Sequence, residues 1–192
     1  MAKVISIFSP KGGVGKTFIA TNLAAIIPRK LRHGRVLLVD LDLQMLGDVP
    51  KLLNLKPVKS IVELIPIWKN TETLEMSEIN DYIYKHDGSG IDFMPVILNL
   101  KQKPEIDGGF ISFILSQVNK VYDYVIIDTG HAFTKAAFGV FENSNLILFV
   151  VNPDVLSVSQ AKEGMDVLQS FAFPLKIINS LFLNIKKYSL IP

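Results

Sequence analysis

The side chains best placed to do chemistry lie near the start of the chain, in a glycine-rich segment. Residues 9–17 read Ser-Pro-Lys-Gly-Gly-Val-Gly-Lys-Thr, and the last three are the end of a Walker A phosphate-binding loop. The glycines allow backbone N–H groups to turn inward around phosphate oxygens, and a following helix presents its positive N-terminus to the same anion. In such a loop Lys16 reaches the outer phosphates and Thr17 places its hydroxyl on Mg²⁺. A turn without chemical function is the alternative, but strand, glycines, Lys-Thr and helix all coincide here.

Acidic residues follow two apolar stretches further along the chain. Asp40 and Asp42 end the stretch Val-Leu-Leu-Val-Asp-Leu-Asp, and side chains at i and i+2 leave the end of a strand on the same side. Asp128 ends the stretch Tyr-Val-Ile-Ile-Asp, from which a carboxylate can reach the water shell of Mg²⁺. A capping role in a loop or helix is the alternative for Asp40 and Asp42. The order of loop, acid pair and single acid favours a magnesium–nucleotide site.

Strand-like and helix-like stretches alternate along the chain and must position these residues. Strands are expected at 4–8, 35–40, 91–95, 122–128, 146–151 and within 175–184. Helices are expected at 16–31, 77–85, 110–121, 132–142 and 157–171, and residues 60–63 have the form of a capping box that begins a short helix. This alternation predicts a single α/β domain over residues 1–192, with a mostly parallel central sheet and helices on both faces. Ligands of such sheets bind at the carboxyl ends of strands, where the loop and the acids fall.

Composition excludes several classes of protein. The chain has 192 residues, of which 49% are apolar, and a net charge of +2, which argues against disorder. Its longest apolar run is six residues, Leu146–Val151, whereas a membrane-spanning helix needs about 20, and the N-terminus lacks a signal-peptide pattern. The absence of cysteine excludes disulfide scaffolds, thiolate zinc sites and cysteine-held iron–sulfur clusters. We therefore expect a cytoplasmic protein without a transmembrane segment.

Positive charge is concentrated at the start of the chain. Residues 1–60 carry ten Lys or Arg and three Asp, whereas residues 61–192 carry ten Lys and fifteen Asp or Glu. A basic N-terminal third suits an anionic ligand. The alternative is that the basic cluster at 29–35 is a solvated helix end, where cations also suit the helix dipole.

The glycine-rich loop also carries a family resemblance. Lys11-Gly-Gly-Val-Gly-Lys-Thr resembles the deviant Walker A loop of the ParA/MinD family of P-loop ATPases. This resemblance implies ATP and Mg²⁺ as cofactors, and it implies that Lys11 reaches across a dimer interface to the nucleotide of a partner. A solvent-facing lysine is the alternative. Two departures are Pro10, where the general motif has its first glycine, and Phe18, where a second hydroxyl residue is common. The residues expected to contact the nucleotide are Lys11, Gly12, Gly13, Val14, Gly15, Lys16, Thr17 and Phe18.

The resemblance extends to both switch segments. Asp40-Leu-Asp-Leu-Gln44 resembles the first switch, which implies a metal-shell role for Asp40 and a water-orienting role for Asp42, with a weaker assignment for Gln44. The stretch ending in Asp128 resembles Walker B running into the second switch, where this chain has Thr-Gly-His although proline often follows Asp-Thr. The catalytic residues implied are thus Lys11, Lys16 and Asp42, and the metal-site residues are Thr17, Asp40 and Asp128.

The end of the chain carries a further part of the resemblance. Residues 150–154 resemble the strand-end turn near the nucleotide, and Asn184 matches the residue that often reads the adenine edge, for which an amide suits because it can donate and accept. If the last strand ends earlier, Asn179 takes this role instead of Asn184. The other alternative is that Asn184 is an ordinary turn asparagine. Family members usually continue beyond this point, so we expect closing elements to be missing. No stretch after residue 184 is long enough for an amphipathic membrane helix.

Segments after the first switch resemble the CpaE/TadZ-like pilus-assembly branch most closely: Gly47-Asp-Val and Ser60-Ile-Val-Glu-Leu. The principal function implied is an Mg²⁺-dependent ATPase that dimerises face to face with ATP, separates after slow hydrolysis and acts as a spatial switch through a protein partner. A nucleotide-binding scaffold with negligible turnover is the alternative. Iron–sulfur relatives require cysteines, which this chain lacks. Binding of nucleic acid needs a basic stripe, and residues 29–35 are the one dense basic cluster in the sequence.

Overall fold

A computed structural model describes residues 1–31, 34–43, 48–71, 73–99 and 105–183. Its strands form one sheet in the order β3-β4-β2-β5-β1-β6-β7. The strands are β1 (Lys3–Phe8), β2 (Val36–Leu41), β3 (Tyr84–His86), β4 (Ile91–Pro95), β5 (Tyr124–Thr129), β6 (Leu146–Val151) and β7 (Ile178–Phe182). Every neighbouring pair is parallel except β3 and β4, which confirms the predicted sheet.

Helices cover both faces of this sheet. They are α1 (Lys16–Lys30), α2 (Asp48–Leu52), α3 (Ile65–Thr71), α4 (Met76–Asn80), α5 (Gly108–Val118), α6 (Lys135–Glu142) and α7 (Val155–Ser170). On one face, Ala20 and Ala24 of α1 share a buried cluster with Ile7 and Leu38 of the sheet. On the other face, α5, α6 and α7 contribute to a second cluster around Phe8. The α/β architecture is therefore confirmed. None of the described helices is long and apolar enough to cross a bilayer.

The position of β1 explains where the site forms. This strand lies inside the sheet between β5 and β6, and Ile7 and Phe8 at its end are completely buried on opposite faces. The chain leaves β1 toward β2 on one side and later returns to add β6 and β7 on the other side. Such a reversal opens a crevice at the carboxyl ends of the strands, where an open α/β sheet binds its ligands.

One predicted element is wrong in part. A helix was expected at residues 77–85, but the helix is Met76–Asn80 and Tyr84–His86 form an antiparallel strand against β4. The turn between these strands contains Gly90 at φ 71°, a left-handed conformation that glycine adopts without strain. The Tyr84 hydroxyl also accepts N–H bonds from Val58 and Lys59. Pairing with β4 and the contacts of the Tyr84 hydroxyl therefore override the local helical pattern of these residues.

The predicted capping box is confirmed. The N–H of Ser60 donates to the Glu63 carboxylate at 2.9 Å, and a 3₁₀ turn over Ile61–Leu64 leads into α3. Elsewhere, α5 and α6 approach unusually closely, since a Cβ atom on Gly139 would stand 2.5 Å from the carbonyl oxygen of Gly108. Two helices can meet at this distance only where neither carries a side chain.

Candidate functional site

The glycine-rich loop joins the end of β1 to the start of α1. Gly13 and Gly15 have φ angles of 73° and 94°, which other residues adopt only with strain, while the side chain of Val14 is buried beneath the loop. Gly15 is the N-cap of α1, and no side chain caps this helix. A Cβ atom on Gly12 or Gly13 would meet no described atom within 4 Å. The left-handed glycines and the uncapped N–H groups at the start of α1 therefore allow the backbone of the loop to surround an anion.

Helix α7 supports the first residues of the loop. A Cβ atom on Gly164 would lie 2.9 Å from Cζ of Phe149 and 3.2 Å from Cγ of Pro10. Pro10, which stands where the general motif has glycine, thus packs against Gly164 of α7, where no side chain occupies the space. The contact between Pro10 and Gly164 was not predicted from the sequence.

Lys16 lies in an electrostatic setting that suits phosphate. Its side chain is buried, and this burial lowers the pKa of the ammonium, whereas the charges of Asp128 and Asp42 raise it. Burial dominates, so the pKa is lower than that of an ordinary lysine. A buried ammonium gains more from an anion than an exposed one does, because water screens the interaction less.

Thr17 and Asp128 fit the magnesium site predicted for them. The Thr17 hydroxyl lies close enough to the Asp128 carboxylate to stabilise its charged form. Asp128 is almost completely buried, and its Oδ1 has no hydrogen-bond partner among the described residues. Burial raises the pKa of this carboxyl to about 7, although Thr17 and Lys16 lower it. An orphaned carboxylate oxygen beside a hydroxyl is a donor set that Mg²⁺ prefers, with phosphates and waters as its remaining ligands.

Asp40 lies next to Asp128 because β2 and β5 are neighbours. The two residues face each other in the strand register, and burial followed by the charge of Asp128 raises the pKa of Asp40 well above its usual range. One oxygen of Asp40 accepts the N–H of Asp42 at 3.2 Å. Asp40 therefore fixes the backbone that carries Asp42, and the structure brings both acids to the end of the strand that faces the loop.

Lys11 contacts Asp154, a residue of the turn 150–154 that was expected near the nucleotide but not as the partner of this lysine. Its ammonium lies 2.9 and 3.0 Å from the two carboxylate oxygens of Asp154. Asp154 also caps α7 by accepting the N–H of Ser157. The sequence offered a signal for the cap, since aspartate precedes a helical stretch, but none for the ion pair, whose partners are 143 residues apart.

The last strand approaches the loop from the other side. Leu183 donates its N–H to Val151, and a Cβ atom on Gly15 would lie 3.2 Å from Cδ1 of Leu183. Because β7 runs to Phe182, Asn179 lies within the strand opposite Leu148, and the condition for its base-reading role is not met. Asn184 and Gln44 lie outside the described residues. Phe18, at the start of α1, is 62% exposed.

A comparison with known proteins decides the family. The family model for an AAA domain matches residues 2–176, which is most of the chain. The chain belongs to this AAA domain family. A relative from Methanocaldococcus jannaschii, described as an uncharacterized ATP-binding protein, is 29% identical over 159 residues, which are 82% of this chain and 56% of the relative. This AAA domain chain thus spans little more than half the length of that curated relative.

Solved structures share the fold of the AAA domain chain. A ParA family ATPase from Chlorobium tepidum has a TM-score of 0.81 at 21% identity, over 94% of this chain and 73% of its own. The septum site-determining protein MinD from Pyrococcus horikoshii, complexed with Mg-ADP, has a TM-score of 0.72 at 22% identity, over 95% of this chain and 69% of its own. The P-loop NTPase fold is therefore confirmed. Sequence relatives described as ParA family proteins, 23% and 28% identical over 88% of this chain, support the predicted ParA/MinD-like family.

Proposed function

We propose that this chain is an Mg²⁺-dependent ATPase whose ATP-bound form is a face-to-face dimer. The observation that carries the proposal is the arrangement around the loop. Lys16 is buried among the charges of Asp128 and Asp42, and the Thr17 hydroxyl stabilises the charged form of Asp128. A cation, a hydroxyl and carboxylates beside a glycine-rich loop are what a magnesium–triphosphate requires.

The chemical step that we propose is in-line attack of water on the γ-phosphate. The loop N–H groups and Lys16 bind the phosphates and oppose the charge that builds up in the transition state. Thr17 and Asp128 would hold Mg²⁺, which would supply further neutralisation of phosphate charge. Asp40 holds the backbone of Asp42 through its N–H, and Asp42 orients the attacking water.

Dimerisation completes the site in this proposal. Lys11 lies on the surface at the mouth of the loop, and by family resemblance it reaches the nucleotide of the partner subunit. Asn184 is proposed to read the adenine edge of its own nucleotide. The bound nucleotide then determines whether the chain is a monomer or a dimer, and the rate of hydrolysis sets the lifetime of the dimer.

The biological setting that we propose is positioning within the cytoplasm, through a protein partner that senses the dimer. The names of the structural neighbours, a ParA family ATPase and a septum site-determining protein, support partition or division-site positioning. The sequence segments that resemble CpaE/TadZ-like proteins support pilus assembly. These three roles share one chemistry and differ in the partner.

Single-turnover hydrolysis tests the enzymatic part of the proposal. Phosphate release from a stoichiometric complex with radiolabelled ATP and Mg²⁺ should be measurable for the unaltered chain. It should fall by about 100-fold or more in the Asp42→Ala variant, because the water loses its orienting group. Binding of nucleotide should remain within about threefold in that variant, because Asp42 does not hold the phosphates. Tight nucleotide binding without phosphate release from the unaltered chain would instead identify a scaffold.

A further inference from the structure

Phe18 leaves an aromatic ring exposed to water beside the phosphate loop. The residue follows Thr17 in the first turn of α1 and is 62% exposed. Among the described residues no other aromatic ring packs against it, whereas Phe8 and Phe141 lie in a buried cluster with ring centroids 5.0 Å apart. A phenylalanine side chain cannot donate a hydrogen bond to a phosphate, so what it offers a ligand is apolar contact.

The first turn of α1 directs its side chains to different parts of the site. Lys16 and Thr17 face the carboxylates, since the charge of Asp128 acts on Lys16 and the Thr17 hydroxyl stabilises that charge. Successive side chains of an α-helix are turned by about 100°. Phe18 is therefore turned away from the acids, and its ring lies outside the proposed magnesium site.

The surroundings of the loop indicate where the rest of a nucleotide would leave it. On one side Pro10 packs against Gly164 of α7, and on another side the carboxylates stand at the ends of β2 and β5. Beside the start of α1, in contrast, Cδ1 of Leu183 lies 3.2 Å from the position of a Cβ atom on Gly15. An apolar flank with an exposed ring suits a planar, uncharged base better than carboxylates do.

The ring of Phe18 is isolated on its helix, which favours a small ligand over a broad apolar partner surface. Asn22, one turn further along, is exposed, and its amide donates to the carbonyl of Phe18 at 2.8 Å. Another exposed apolar residue of this stripe, Ile26, follows a further turn later, about 12 Å from Phe18 along the helix axis. One ring is enough to cover one base, whereas stable protein interfaces bury about 800 Å² on each partner.

We propose that Phe18 packs against the nucleoside of the bound nucleotide and makes the site select nucleotides over inorganic polyphosphates. The inference rests on the proposed function in one respect, because it requires a nucleotide whose phosphates lie in the loop. Lys16 and the loop N–H groups bind phosphates whether or not a nucleoside is attached to them. The ring of Phe18 adds a contact that only the nucleoside can make, since stacking needs the π-face of a base.

Calorimetry with Mg-ADP, and displacement of that ADP by inorganic tripolyphosphate, tests the contact. Phe18→Ala should weaken ADP by about fivefold or more and tripolyphosphate by less than about twofold, because only ADP carries a base. Ile26→Ala is the matched control, since it removes an exposed apolar side chain from the same helix far from the loop, and both affinities should stay unchanged. An unchanged ADP affinity in Phe18→Ala, or an equal loss for tripolyphosphate, would overturn the proposal.

Tryptophan fluorescence gives a second measurement, because Trp68 is the single tryptophan of the chain and supplies the baseline. In the Phe18→Trp variant, Mg-ADP should quench the emission beyond the change seen in the unaltered chain, and tripolyphosphate should not. Equal responses to both ligands would contradict stacking on the base.

The outcomes separate this inference from the proposed function. If the unaltered chain binds neither ADP nor tripolyphosphate, the proposed function is wrong and the inference falls with it. If Phe18→Ala binds ADP normally but forms a weaker dimer with a non-hydrolysable ATP analogue, the ring contacts a partner subunit, and the inference alone is wrong.

Discussion

Asp128 suits the candidate magnesium site, but its buried carboxylate lowers the stability of the fold. Its carboxylate is buried, one oxygen lacks a partner among the described residues, and burial raises its pKa from 3.8 to about 7. Because the pKa is higher in the folded chain than in the unfolded chain, ionisation favours unfolding. The fold is destabilised progressively as pH rises from about 4 to about 7, and fully above that range.

Asp128→Asn should therefore stabilise the nucleotide-free protein at pH 8. The amide cannot ionise, so we expect the free energy of unfolding in urea with EDTA to rise by about 2 kcal/mol. This advantage should vanish near pH 4, where Asp128 is protonated in both states. Addition of Mg-ADP should raise the melting temperature of the unaltered chain more than that of the variant, because Asp128 contributes to the Mg²⁺ site. A variant that is no more stable at pH 8 would show that the buried charge carries no penalty.

The residue types of the site could be recognised from the sequence, but their contacts could not. Lys16, Thr17 and Asp128 were selected by motif and spacing, and the structure brings them together. Asp154 was missed as a partner of Lys11, because an ion pair between distant segments leaves no local pattern. The bond from Asp40 to the backbone of Asp42 likewise depends on a loop conformation that spacing does not define.

At the scale of elements, close packing links α7 to the phosphate loop. Gly164 allows α7 to lie against Phe149 of β6 and Pro10 of the loop. Gly139 permits an even closer approach of α6 to α5 on the same face of the sheet, and the three atoms nearest to its Cβ position belong to Gly108 rather than to the loop. These two glycines offer a comparison between packing that supports the site and packing that supports the fold alone.

Gly164→Ala should weaken nucleotide binding as well as the fold. The added methyl group meets Phe149 and Pro10, and overpacking should cost about 1–2 kcal/mol of stability after the gain in helix propensity. The displaced loop should bind ADP about three- to tenfold more weakly by calorimetry on folded protein. Gly139→Ala is the matched control: it should cost at least as much stability, because it meets the Gly108 backbone, and leave the affinity unchanged. Equal losses of affinity in both variants would refute a specific link between α7 and the loop.

Apolar runs predicted the buried strands well, whereas the short outer strand escaped prediction. Strands β4 and β6 agree with the sequence to the residue. Strand β6 is an unbroken apolar run, as expected for a strand buried within a parallel sheet. Strand β4 contains Asp92, but it ends at Pro95, which cannot donate to a ladder. Strand β3 has three residues, one of them an exposed lysine, and its conformation depends on β4 and on the anchored Tyr84 hydroxyl. A local pattern of helix-forming residues therefore gave the wrong element there.

At the scale of the whole molecule, sheet order is what assembles the site. The sequence predicted alternating strands and helices, but not that β5 lies between β2 and β1. That order places Asp128 beside Asp40 on one side and beside Ile7, at the entrance to the loop, on the other. The hydroxyl of Thr129 donates to the carbonyl of Ile7 at 2.6 Å and connects the end of β5 to the strand that carries the loop. Non-local pairing, which no single segment encodes, thus determines the geometry.

The most direct measurement of the central claim is isothermal titration calorimetry of the chain with ADP and with a non-hydrolysable ATP analogue, at millimolar Mg²⁺ and again with EDTA. We expect one nucleotide to bind per chain with Mg²⁺, and the affinity to fall by about tenfold or more with EDTA. Binding should be lost in Lys16→Ala, because the loop needs both Mg²⁺ and the Lys16 ammonium to hold the phosphates. Folded protein that takes up neither nucleotide, or a Lys16→Ala variant that binds as tightly as the unaltered chain, would contradict the account.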